Sequence, residues 1–415
     1  MRRVIFVLTI VTLSVRAASA AGESVALVEK HLQAGTLAAG ETALEAVLKQ
    51  NPRDDEARFG LGTVQFVRSV EGLSQALYRH GFLHTWGRLP PLDFPGSHIP
   101  IPINPAPQQL NYDQARKIVQ DFVSGLAKAE ATLAKIESDK VKLPLHFGMV
   151  RLDFDGDGKA GEDETLWRIY ANLNRQAGLQ VADAKQFVIA FDAADVYWLR
   201  GYCHLLMTLG EIKLAHDWRD LFERAGHLLF AKTESPYPFL KEIGPDDHNA
   251  FSFASIADLV AFIHTINFKV AEPKRMTAAL EHLETMVALS RKSWDLILKE
   301  TDDDHEWIPN PKQTGIIPNV AVTPEMVAGW KEFLTETEAI LKGNKLLPFW
   351  RGTEARGVNL RRVFTEPKQF DLVLWVQGTG AAPYLEKGTL TDQAVWARLM
   401  RVFEGEFIGF AMWFN

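Results

Sequence analysis

Cysteine is almost missing: Cys203 is alone among 415 residues. No disulfide framework can staple the chain, and a packed core has to hold it together. No Lys/Arg-rich run occurs, and 45 basic residues stand against 52 acidic ones for a formal charge of −7. That balance argues against a nucleic-acid binder, which would need a basic face. Beyond residue 20 there is no stretch of 18 apolar residues, so the mature chain is expected to have no transmembrane helix. A Gly-x-Ser-x-Gly elbow, a phosphate-binding glycine loop and a zinc-protease helix motif are absent too, which removes several of the commonest enzyme signatures. What remains is 47% hydrophobic and 23% charged, the composition of a folded soluble protein. Its length suits two or three domains, or one extended helical array.

The first 20 residues read as a signal peptide. Arg2 and Arg3 form a basic start, Val4 to Val15 an apolar run, and Ala18-Ser19-Ala20 a small-x-small cleavage pattern. The mature chain is then expected to begin at Ala21. It loses three arginines and no acid, which takes the charge from −7 to −10. An exported chain with one cysteine is expected to be periplasmic or secreted and to manage without disulfides. Cys203 itself, in an apolar helical stretch, reads as a small core residue.

The remainder predicts mostly helix. Leu44, Val47 and Leu48 share a face, Asn51-Pro52 stops that helix, and Asp54 or Asp55 can cap the next. Seven prolines between Leu89 and Pro107 exclude helix and central strand there. Helical spacing resumes at Tyr112. Phe187, Phe191, Ala194, Trp198, Leu205, Leu209 and Ile212 form one buried stripe, over a single long helix or over two with a kink at Gly201. Further helices are expected at 218–232, 254–268, 273–299, 324–342 and 393–403. The tail Phe407 to Phe414 is apolar enough that it should dock on the core.

The segment Asn51-Pro52-Arg53-Asp54-Asp55-Glu56-Ala57-Arg58-Phe59-Gly60-Leu61-Gly62 resembles the junction between two tetratricopeptide repeats, in which a proline ends one helix pair and Ala followed by Leu-Gly packs the next. The resemblance covers about 50 residues, and Arg58 takes the place of a large aromatic. It implies helical hairpins over 21–88 with a groove for a protein or peptide partner. Any two-helix hairpin explains the pattern as well.

One motif carries chemistry. Asp153-Phe154-Asp155-Gly156-Asp157-Gly158-Lys159-Ala160-Gly161-Glu162-Asp163-Glu164 sets three carboxylates at alternate positions, a glycine at the sharp turn and a glutamate at the twelfth. Calcium takes six to eight oxygens, and alternate residues of a tight loop point inward. Asp153, Asp155 and Asp157 would each give a carboxylate, Lys159 its backbone carbonyl, Gly161 leaves room for a water, and Glu164 would close the shell with both oxygens. The run resembles the EF-hand calcium loop at every ligand position, a match expected by chance in on the order of one chain per thousand of this length. Glu164 is placed in the first turn of a helix from Glu162 to Asn172. Ala160 at position eight is small, no second such loop follows, and Leu143 to Gly148 makes a poor incoming helix. The resemblance therefore implies a solitary structural Ca2+ site with a dissociation constant of about 10⁻⁴ to 10⁻³ M, and no opening groove of the sensor type.

Other clusters are weaker. His80 and His84 lie one turn apart without a third ligand. His204, His216, Asp217, Asp220 and His227 scatter over a helical pair, and a hydrolytic site there competes with hydrogen-bonded core histidines. Asp246 to Asn249 and Asp302 to Glu306 read as loop and helix caps before a second cation site. Trp198, Trp294 and Trp330 fall on apolar stripes and read as core.

The expected fold is all-α, a bundle of helical hairpins with solenoid character. It comprises a signal peptide at 1–20, tetratricopeptide-like hairpins at 21–88 and a Pro-rich linker at 89–110. A helical domain at 111–345 carries loop 153–164, and a Gly-rich, partly irregular segment at 346–415 packs on it. The expected function is that of a calcium-binding envelope protein with a protein or peptide partner and no catalytic residues assigned. The alternative is a calcium-stabilised envelope hydrolase built on the His/Asp group around His216.

Overall fold

Asp54, of the two acids able to cap the helix after Pro52, is the one that does so: its Oδ1 accepts the Ala57 N–H at 2.8 Å and its Oδ2 accepts the Ser24 hydroxyl at 3.0 Å. Such caps, together with amphipathic spacing, set out a mostly helical chain. The computed structural model describes residues 22–83, 101–168, 184–242, 253–316, 321–352 and 356–414. The expected signal peptide, most of the Pro-rich run, His84 and the Asp246 loop lie outside them.

In chain order the elements begin with α1 (22–34), α2 (Leu37–Gln50), α3 (Asp55–Arg79) and α4 (Tyr112–Leu133). Then come β1 (Lys142–Leu145), β2 (Ile189–Asp192), α5 (Ala193–Ala215), β3 (His216–Asp217), α6 (Arg219–Ala225), α7 (Phe253–Thr265), β4 (Asn267–Val270) and α8 (Pro273–Ile297). The last part holds α9 (Pro324–Leu341), β5 (Leu347–Pro348), β6 (Gly357–Val358), α10 (Leu360–Thr365), β7 (Phe370–Asp371), α11 (Leu372–Gln377), β8 (Leu385–Glu386), α12 (Gln393–Val402) and α13 (Phe407–Phe414). Among the described residues no helix is long and apolar enough to cross a membrane.

The chain folds into two compact units, each assembled from separated segments: 1–72, 125–203 and 292–321 in the first, 73–124, 204–291 and 322–415 in the second. Residues 21–72 belong to the first unit and 73–88 to the second.

In the first unit, β1 and β2 pair antiparallel, Leu143 opposite Phe191 and Leu145 opposite Ile189. This corrects the expected helical stripe from Phe187: Phe187 and Phe191 precede α5, and the helix starts at Ala193. Period two and period 3.6 both fit such a short apolar run, and only the partner strand decides. Beneath lies a core of Trp167, Phe187 and Ile189, with Phe147 and Trp307 against it. Gly60 sits so close to α1 that a Cβ on it would come 2.1 Å from Val28.

In the second unit, β3, β4 and β7 form one small sheet, and β5, β6 and β8 another. Tyr112, Trp218 and Phe222 form one core cluster. The caps follow the side chains: Thr323 Oγ1 accepts the Met326 N–H, Asp371 caps α11, and Asp392 caps α12. Gly378, at φ +108°, ends α11 in the left-handed conformation that suits glycine. The apolar tail is seated, with the Phe414 ring 5.7 Å from Trp330 and 5.9 Å from Phe403.

Candidate metal centre

The loop 153–164 hangs between two short extended stretches that hydrogen-bond to each other. The Leu152 N–H donates to the Glu164 carbonyl and the Leu166 N–H to the Val150 carbonyl, both at 2.9 Å, and Arg151 bridges Thr165 antiparallel. Leu152 and Phe154 are fully buried, so the incoming strand is anchored on both sides of Asp153. Gly156 and Gly158 have φ of +76° and +83°, the conformations that let the chain reverse here.

Backbone amides orient the carboxylates. Asp153 Oδ1 accepts the Gly156 N–H at 2.7 Å, and its Oδ2 accepts the Gly158 N–H at 2.9 Å. Glu164 closes the loop with Oε1 on the Phe154 N–H at 2.8 Å and Oε2 on the Gly161 N–H at 2.7 Å. One oxygen each from Asp153, Asp155 and Glu164 lie within 4.8 Å of one another. Ligands 2.3–2.6 Å from one calcium ion are separated by no more than about 5 Å, so these three fit a shared hard cation. Asp157 is exposed, and its Oδ1 accepts the Lys159 N–H at 2.7 Å, leaving it outside that group of three. The Lys159 side chain is exposed as well, in keeping with a residue expected to offer its carbonyl alone.

The outgoing flank differs from the expected helix, whereas the incoming one forms no α-helix, as its sequence led us to expect. A 3-10 turn, Phe147–Met149, leads in, and Glu164 ends a second one, Glu162–Glu164. Thr165 is extended at φ −92° and ψ 148°, so the expected helix from Glu162 is interrupted there and resumes at residue 166. The remainder of its expected span lies outside the described residues. The bonds of the 150–152 and 164–166 pair claim the backbone that a continuous helix would use.

Two contacts were invisible in the loop sequence. Glu71, on α3, accepts the Asp153 N–H on Oε1 at 3.0 Å. Burial pushes its carboxyl up to about 7, and the charges of Asp153 and Glu164 push the same way. Nothing in the spacing of residues 71 and 153 signals the pairing. Ala160, at position eight, packs on the turn between α1 and α2: a Cβ on Gly35 would lie 2.2 Å from Ala160 Cβ. The Arg151 N–H donates to the Leu32 carbonyl at 2.9 Å beside it. The turn between α1 and α2 therefore packs directly on Ala160, where a small side chain fits.

Among the described residues, the His and Asp side chains singled out around His216 do not gather into one metal site. His204 Nδ1 faces His282 Nδ1 at 2.8 Å, His216 Nδ1 bonds the Ile212 carbonyl at 2.8 Å, and His227 Nε2 bonds Asp258 at 3.2 Å. Asp217 accepts from the Tyr112 hydroxyl at 2.8 Å, Asp220 is exposed, and His248 lies outside the described residues. His80 Nδ1 lies 3.3 Å from the Gln108 carbonyl. Asp302 pairs with Lys142 at 2.8 Å, and Asp303 accepts the Thr314 N–H at 2.7 Å. Among the described residues, Asp153, Asp155 and Glu164 form the one group of three His, Cys or acidic side chains close enough to share a metal ion. Compared with protein-family models, with curated proteins and with solved structures, the chain gives no significant match to any.

Proposed function

We propose that this is an exported calcium-binding protein in which one loop, 153–164, serves as a structural site, and whose N-terminal hairpins take up a protein or peptide partner. The observation that carries the first part is the convergence of Asp153, Asp155 and Glu164 oxygens within 4.8 Å on a backbone already held in the required turn. Asp157 would join by rotating off the Lys159 amide, and the Lys159 carbonyl and water would complete the shell. The ion's task is to offset repulsion among these carboxylates, and so to tie strand 150–152 to Glu164. Through Gly35 and Glu71 the same loop rests on the α1–α2 turn and on α3, so calcium would steady the hairpins themselves. The second part is supported by a cavity of about 350 Å³ with Leu32, Phe59, Phe66, Val70, Leu152 and Trp198 in its lining, which suits an apolar side chain of a partner.

The test is a calcium titration by calorimetry on the chain from Ala21, beside Asp153→Ala and Glu164→Gln. One saturable heat lost in both variants is expected, with a dissociation constant of about 10⁻⁴ to 10⁻³ M. Absence of heat at millimolar calcium in the parent chain would reduce the loop to an acidic turn.

A further inference from the structure

The second unit contains a cavity of about 360 Å³, with Leu209, Ile212 and Met276 among its apolar lining. One wall is a series of rings. His216 on β3 lies 6.4 Å from Phe268 on β4, which lies 6.3 Å from Phe370 on β7. Trp375 follows at 6.1 Å and Tyr384 at 5.9 Å beyond it. Register explains part of this, since Phe268 and Phe370 are directly opposite in the sheet.

The charged lining is cationic. Among the described residues, Lys213 and Lys368 reach the cavity, and no Asp or Glu does. Lys213 Nζ rests 4.2 Å from the Trp218 ring centre and 5.3 Å from that of Phe268. The nearby acids are committed elsewhere: Asp217 accepts from the Tyr112 hydroxyl and the Arg219 N–H, and Glu272 pairs with Arg116 and Arg275. Ring faces partly solvate an ammonium, but they do not neutralise it. Burial, and secondarily the Arg116 charge, lower the Lys213 amine to about 8. An ammonium held in apolar surroundings without a counter-ion carries a desolvation cost that an incoming anion would offset.

We propose that this cavity binds a small carboxylic acid with an apolar body, its carboxylate paired to the Lys213 ammonium and its hydrocarbon part laid along the wall of rings. At roughly 30 Å³ per water-sized group the space holds about a dozen such groups, which suits a monocarboxylate of eight to ten carbons. Lys368 adds positive potential at the same cavity, so the polar end of the ligand is selected by charge and the remainder by area.

Octanoate is the probe, with octanol and octylamine as the neutral and cationic counterparts, titrated by calorimetry into the parent chain, Lys213→Met and Lys213→Arg. Octanoate should bind the parent at least tenfold more tightly than octanol, the difference one charge-assisted hydrogen bond makes, and octylamine should bind more weakly than either. In Lys213→Met the advantage over octanol should vanish, and in Lys213→Arg it should persist. At pH 8, where Lys213 is about half protonated, binding to the parent should take up about half a proton, seen as a dependence of the heat on buffer ionisation enthalpy, and Lys213→Met should show none. Circular dichroism melts check that both variants fold. Octanoate and octanol binding alike to the parent, an unchanged preference in Lys213→Met, or no octanoate binding at millimolar concentration would each overturn the proposal.

Discussion

Two glycines with equal room around them are expected to answer substitution in opposite ways. A Cβ on Gly158 or on Gly72 meets nothing within 4 Å, so sterics cancel and backbone conformation decides. Gly158 sits at φ +83°, and Gly158→Ala should cost about 1–2 kcal/mol and weaken calcium binding. Gly72 lies inside α3, and Gly72→Ala should stabilise by about 0.5–1 kcal/mol. Urea unfolding of both in a chelator, followed by calcium titration of the first, checks the pair. Lys213 makes a pH prediction at the same scale. Its amine titrates at about 8 in the folded chain against 10.5 ordinarily. Between those values the unfolded chain holds more protons, so the destabilisation is complete below pH 8 and is relieved as pH rises to 10.5. Lys213→Met should therefore be more stable than the parent by about 2–3 kcal/mol at pH 7, the gap closing by pH 10.5. The groups around it, Arg116, His216, Asp217, Glu272 and Lys368, remain in both chains. A gap that stays constant with pH would mean that the ammonium is solvated after all.

At the scale of elements, close approach of helices is the feature to probe. Gly60 on α3 would place a Cβ 2.1 Å from Val28, whose side chain is fully buried on α1. Valine is stiff about χ1 and has nowhere to turn. Gly60→Ala should cost about 1–3 kcal/mol by overpacking, and Val28→Ala in the same chain should recover part of it, because the two changes share one space. Strictly additive losses in denaturant midpoints would argue that the helices do not meet here. Much of this scale was readable in sequence. Asp54 or Asp55 as cap, the stop at Pro52, and helices beginning at Tyr112, Pro273 and Pro324 all follow from local chemistry. The strand at 189–192 was not, because its apolar residues satisfy either period until Leu143 and Leu145 lie opposite them.

For the molecule as a whole, calcium binding should register as stability by mass action. At ten to a hundred times the dissociation constant the gain is about 1.4–2.7 kcal/mol, a rise of a few degrees in melting temperature that a chelator reverses. Hydrogen exchange locates it. Slower exchange is expected at 150–166, at the turn after α1 and around Asp153 opposite Glu71, with 357–414 unchanged. Protection spread evenly over the chain, or absent from the loop, would mean that the ion acts elsewhere.

The sequence by itself determined the helical class, the Cys203 and Trp330 core positions and the meeting of Asp153, Asp155 and Glu164. Each rests on residues close in the chain, where capping, periodicity and the reach of twelve successive residues suffice. Tertiary structure alone decided that Glu71 supports Asp153 from 82 residues away, that Gly35 packs on Ala160, and that His216, Phe268, Phe370 and Trp375 line one cavity with Lys213. No spacing encodes such meetings. They arise when segments far apart in the chain close against one another, and each is selected by the packing of all the others.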